Sequence, residues 1–185
     1  MREIRLAAAR GRCDHPAVSL LRWQFDLTWS LADLHLSALT PADFRWEPGP
    51  LTWHVRPAAD GWTIDWADTE PDPVPVPTIA WITWHVGWWW SVALDHAHGR
   101  PPREREAVGW PGDENAVAWL RELAADWGGV LDRLSEMDAP AAFPWPPEAG
   151  LTVAHQAAWV NAELMKNVAE IGQLRLLRAA QATSG

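Results

Sequence analysis

Residues 78–90, Thr-Ile-Ala-Trp-Ile-Thr-Trp-His-Val-Gly-Trp-Trp-Trp, restrict this chain more than any other stretch. Thr78 follows Pro77 and suits an N-cap, and no proline recurs until Pro101, so a helix starts here. Trp81, His85 and Trp89 fall at four-residue spacing on it, with Trp88 three residues past His85. A helix apolar on nearly every side has to be surrounded by other elements, which puts it inside a packed bundle. Its imidazole then needs a partner, because a buried polar group without one costs free energy. Successive helical residues lie about 100° apart, so Trp88, Trp89 and Trp90 cannot all point inward. At least one must meet the preceding loop, another chain or solvent.

Three further segments carry helical spacing. From 16 to 39 the apolar positions are Leu20, Trp23, Leu27, Ser30, Leu31 and Leu34, opened by Pro16 and closed by Thr40-Pro41. His35 falls one position after that stripe and reads as a surface or boundary histidine. The 78–98 helix stops at Gly99-Arg100-Pro101-Pro102. From 113 to 138 the stripe is Val117, Leu120, Ala124, Trp127, Leu131 and Leu134. From 152 to 180 it is Val153, Ala157, Val160, Leu164, Asn167, Ile171, Leu174 and Arg178, with two polar members. Between the first and second helices, residues 40–77 are rich in proline and glycine and keep no helical period. A connection that long inside a compact domain is usually functional or covers something. Trp46, Trp53, Trp62 and Trp66 can pin it as an ordered wrap, and the run from Pro71 to Pro77 should be extended. The predicted architecture is one all-α domain, a four-helix bundle with a long crossover loop between helices 1 and 2.

Composition narrows the function classes. A net charge of −9 without a basic run argues against a nucleic-acid partner. The apolar stretch from Ile79 to Leu94 is shorter than the roughly 20 residues a bilayer span needs, and it holds a histidine. The single cysteine, Cys13, excludes an internal disulfide and fits a reducing compartment. No apolar region follows Met1-Arg2-Glu3-Ile4-Arg5 as a signal peptide would require, so a cytoplasmic protein is expected. Sixteen tryptophans and no tyrosine mean that much of the core or pocket wall is indole.

Bundles build metal and ligand sites from inward His, Asp and Glu on facing helices. Here the candidates are His85 on the second helix with Glu163 and Asn167 on the fourth, the last two one turn apart. Three such donors facing one point could hold Zn²⁺ or Ni²⁺, although a neutral amide is a poor ligand for either. Equally, His85 could hydrogen-bond Glu163 or Asn167 and so satisfy the core. Trp81, Trp84, Trp88 and Trp89 could wall a pocket for a small apolar ligand, or simply fill the core.

The central histidine of the second helix, the segment Trp159 to Arg175, and the phrase Leu39-Thr40-Pro41-Ala42-Asp43-Phe44-Arg45-Trp46-Glu47-Pro48 together resemble the DinB superfamily. The resemblance covers most of residues 17–178. It implies a four-helix bundle in which a histidine of the second helix and two of the fourth, one turn apart, hold a divalent metal. It also implies, for some members, transferase or isomerase chemistry with low-molecular-weight thiols such as mycothiol or bacillithiol. Carried over, the second-helix ligand is His85, and the fourth-helix pair falls on Glu163 and Asn167, where the histidine-bearing pattern has His. Three readings follow: a metal-dependent transferase acting with a low-molecular-weight thiol, a metal-free small-molecule-binding or stress-linked module, and a homodimeric scaffold that uses exposed indoles. In the first, the metal would lower the pKa of a bound thiol or water. Glu163 or Glu170 would then be available as base.

Overall fold

The computed structural model describes residues 16–183; Cys13 lies outside them. Four long helices form the body: α1 (Pro16–Leu36), α3 (Ile79–Ala97), α4 (Ala116–Arg133) and α5 (Val153–Ala182). A single-turn helix, α2 (Pro41–Phe44), follows α1. Both α1 and α3 pack against α4 and α5, so α1 and α3 sit diagonally across the core. Trp90, fully buried on α3, reaches across that diagonal. Its ring meets Phe25 of α1 edge-on at 6.1 Å between centroids and Trp29 at 5.9 Å.

The crossover is ordered, as its tryptophans suggest, but it is not free of strands, so the fold is mostly helical and not all-α. β1 (Thr52–Trp53) pairs in parallel with β4 (Val76–Pro77), and β2 (Val55–Ala58) pairs antiparallel with β3 (Gly61–Ile64). Gly61, at φ 121°, opens β3 directly after the turn at Ala59 and Asp60, a conformation that suits a residue without a Cβ. The β1–β4 ladder ends where α3 begins. The Thr78 N–H donates to the Trp53 carbonyl, and the Thr78 hydroxyl accepts from the Trp81 N–H as the expected N-cap.

The inward stripes of α4 and α5 match the sequence pattern. Leu120, Ala124, Trp127 and Leu131 are buried on α4, and Ala157, Val160, Leu164, Asn167, Ile171 and Leu174 on α5. Arg178 closes the α5 stripe by pairing with Asp43, whose carboxylate also accepts from the Thr40 N–H at 2.7 Å. Helix α1 is turned differently from its expected stripe. Its buried positions are Val18, Phe25, Thr28, Ala32 and Leu36, while Leu20, Trp23 and Leu34 are 63%, 51% and 50% exposed. Helix α1 approaches α5 closely at one point, where a Cβ on Gly172 would lie 2.7 Å from the His35 ring, so the glycine makes room for the imidazole. His35 is thereby part-buried between α1 and α5, 3.4 Å from the Arg175 guanidinium.

The tryptophan triple resolves without crowding. Trp88 meets Trp66 of the crossover at 5.2 Å, Trp89 meets Trp159 of α5 at 5.3 Å, and Trp90 fills the centre. Gly87, just before the triple, lets the Trp119 indole of α4 lie directly on the α3 backbone. A Cβ there would fall 1.8 Å from the Trp119 ring.

Candidate functional site

His85 sits a turn and a half into α3, with both neighbours on its face aromatic. Its ring stacks on Trp81, 4.9 Å between centroids and 11° from parallel, and meets Trp88 at 5.8 Å and a steep angle. The four-residue and three-residue spacings read from the sequence therefore produce contacts. Trp81 is itself held from outside the helix. Its indole N–H donates to the Asp65 carbonyl at 2.8 Å, and its ring stacks against both Trp53 and Trp66 of the crossover. Trp84 is fixed in the same way, donating to the Val108 carbonyl at 2.7 Å. Trp81, Trp84, Trp88 and Trp66 pack on one another.

The fourth-helix candidates part company. Glu163 is paired with Lys166, its carboxylate 2.6 Å from the ammonium one turn further on. That ammonium also acts on His85. Burial first, and then the Lys166 charge, push the imidazole down to about 4 from its usual 6.5, so it is neutral at physiological pH. Asn167 points elsewhere. It is 3% exposed and lines a small space with Trp29, His35 and Val86, and its amide N–H donates to the Glu170 carboxylate at 2.9 Å. Glu170 is consequently half-buried and engaged, and not simply solvated as its position off the stripe suggested. Two buried polar atoms are left without partners, His85 Nδ1 and Asn167 Oδ1. His85 forms no hydrogen bond with Glu163 or Asn167.

This donor set does not fit a divalent cation. A three-ligand site would need the Glu163 carboxylate, which Lys166 already pairs with, and the Asn167 amide oxygen, a neutral and poor donor on a side chain that lines the space with Trp29, His35 and Val86. It would also set a dication near the Lys166 ammonium, where charge repulsion opposes binding. Among the described residues no three His, Cys, Asp or Glu side chains gather as metal ligands. Lys166 is the residue the sequence reading did not weigh. Its signal was present as an acid–base pair three residues apart on a helix.

The sequence pattern of the DinB superfamily matches residues 24–171, which spans α1 through most of α5. The chain belongs to the DinB superfamily. A solved structure described as a conserved protein from Enterococcus faecalis superposes with a TM-score of 0.59 at 12% identity, over 86% of this chain and 95% of that one. At that identity the likeness speaks for the fold alone. No functionally curated protein matches the sequence. Among the described residues no helix is long and apolar enough to cross a membrane.

Proposed function

We propose that this chain is a DinB-superfamily bundle that works without a divalent metal, as a small-ligand-binding protein and not as a metal-activated transferase acting with a low-molecular-weight thiol. The Lys166 ammonium carries the reading. It is ion-paired to Glu163 and its charge reaches His85, so a protein cation already stands at the position where a metal would be recruited. The neutral imidazole, flanked by Trp81 and Trp88, offers an apolar surface with one polar group. That composition favours orientation of a small ligand over stabilisation of a thiolate.

The transferase reading makes the opposite demand, a tightly held cation that lowers the pKa of a thiol. Elemental analysis of protein purified without a histidine tag, followed by calorimetric titration with Zn²⁺ and Ni²⁺, separates the two. The expected result is no stoichiometric metal and no saturable heat. Stoichiometric Zn or Ni that disappears in His85→Ala would restore the transferase.

A further inference from the structure

The apolar row of α1 that its sequence pattern would turn to the core lies on the outside. Leu20, Trp23 and Leu34 are exposed, and Leu27 and Leu31 between them are half-buried. Spacings of three and four residues keep all five on one side of the helix. Trp23 stands apart from the other tryptophans, every one of which is buried or half-buried.

Helix α5 extends the same face. It touches α1 through Asn161, whose amide donates to the Leu21 carbonyl at 3.0 Å, and through Gly172, which lies under the His35 ring. Ala158, Met165, Ala169 and Leu176 each stand one turn from Asn161 or Gly172, and all four are exposed. Together the two helices present one apolar surface, roughly 27 Å long and 20 Å wide by helix rise and diameter. Its projection is on the order of 500 Å², and the corrugation of a helix surface brings the accessible area toward the ~800 Å² per partner of a stable interface.

Charge limits what can cover this face. The chain carries a net −9, so two copies repel unless they meet where no free carboxylate points outward. The acids of α1 and α5 are committed within the protomer: Asp26 to Arg22, Asp33 to Arg121, Glu163 to Lys166 and Glu170 to Asn167. The same pairings occupy the cations beside the face, which an anionic lipid surface would need free. The spacing itself favours self-recognition. Leu20 and Leu34 lie seven residues either side of Leu27, and Trp23 and Leu31 lie four, so the row has the same spacing in both directions. A two-fold axis across Leu27 sets Leu20 against the partner's Leu34 and Trp23 against the partner's Leu31. That is the reciprocity an isologous contact requires.

We infer that this face is a homodimer interface, with α1 packed antiparallel on α1 of a second copy, the two-fold axis at Leu27 and α5 at the flanks. It goes beyond the ligand-binding reading and involves neither His85 nor a metal.

Sedimentation velocity of the full chain from about 1 to about 100 µM tests it. The expected result is a reversible dimer that prevails at the upper end. Leu27→Glu, which sets two carboxylates together on the axis, should weaken dimerisation at least about a hundredfold. Leu20→Glu and Leu34→Lys should each weaken it about tenfold, and the two combined in one chain should recover most of that loss. The recovery can only come from across the axis, because the two positions are about 21 Å apart along one helix. Both side chains are exposed in the protomer, so helix content by circular dichroism should stay unchanged. A wild-type chain that is monomeric throughout overturns the inference. So does a monomer that turns dimeric once residues 1–15 are removed, which would assign the face to that segment, or one that floats with phosphatidylserine vesicles. A dimer that survives Leu27→Glu with native helix content places the contact elsewhere, and dissociation without recovery in the combined variant defeats the two-fold at Leu27.

Discussion

The two ends of α3 share one helix and make opposite use of it. Near its N-terminus, His85 is pressed between Trp81 and Trp88, the crossover lies over them, and Lys166 with Glu163 supplies a cation and an anion that already cancel. Near its C-terminus the neighbouring polar groups are anchored at the margins, Asp95 by Arg100 and Arg103 and His98 by Asp126, and a cavity opens between α4 and α5. At the near end the charges balance while His85 Nδ1 and Asn167 Oδ1 stay without partners; at the far end the ion pairs stand at the margins of an open space.

The two ends should respond to acid in separate pH windows. His85 is held near pKa 4 when folded and titrates near 6.5 when unfolded, so its contribution is intact above pH 6.5 and is lost as pH falls toward 4. The loss is on the order of 3 kcal/mol for a group buried this well. Urea unfolding across that window should show it, and His85→Leu should flatten it. His35 leaves a smaller residue of the effect, because burial and Arg175 lower it too. An unchanged acid limb in His85→Leu would break the comparison at its near end.

Packing gives the next largest effect. Gly87→Ala places a methyl into the Trp119 ring and should lower stability by about 2 kcal/mol, despite the higher helix propensity of alanine. The loss should appear as a lower midpoint in urea with the slope unchanged. Full stability would mean that Trp119 does not rest on the α3 backbone.

At the far end, the Asp95 carboxylate is lowered to about 2, chiefly by the hydrogen bonds from Arg103 and also by Arg100. Its contribution is therefore complete above the ordinary carboxylate range and disappears only as pH falls from about 4 to 2. Asp95→Asn should cost roughly 1–2 kcal/mol at neutral pH and remove this lower limb while leaving the His85 limb in place. If one substitution shifts both limbs, the ends are coupled and the contrast drawn between them fails.

A gain of function sharpens the contrast further. Glu163→His with Asn167→His rebuilds the family's imidazole pair, and removing Lys166 as well with Lys166→Ala clears the cation. The triple variant should bind Zn²⁺ more tightly than the double, since the ammonium opposes the dication in the latter. Equal zinc affinity in the two would show that Lys166 does not guard the position.

Much of this was legible in the sequence, for physical reasons. The stripe of α4 could be read because its outer face is charged, so burial had one direction to choose; that of α5 was legible from its unbroken three-four spacing, although Met165, Leu176 and Leu177 stay outside. Helix α1 was misread because it carries apolar residues on more than one face. Which of them turns inward is set by packing against α4 and α5, and a period within α1 cannot report that. Strands of two to four residues inside a proline-rich crossover leave almost no alternation to detect. At the candidate site, spacing within α3 correctly joined Trp81, His85 and Trp88. Spacing within α5 could not say that Asn167 turns to the His35 side while Glu163 pairs with Lys166, because the rotation of one helix against another is set by packing. The far cavity was invisible for the same reason: Trp127, Gln156 and His96 come from three helices and share no local pattern.

The most direct test follows the His85 ring nitrogens by NMR through a pH titration, with and without excess Zn²⁺. The account predicts a neutral imidazole down to a pKa near 4 and the same curve in zinc. A zinc-dependent shift of the His85 nitrogens, with release of Lys166 from Glu163, would show that the metal position is functional and would contradict it.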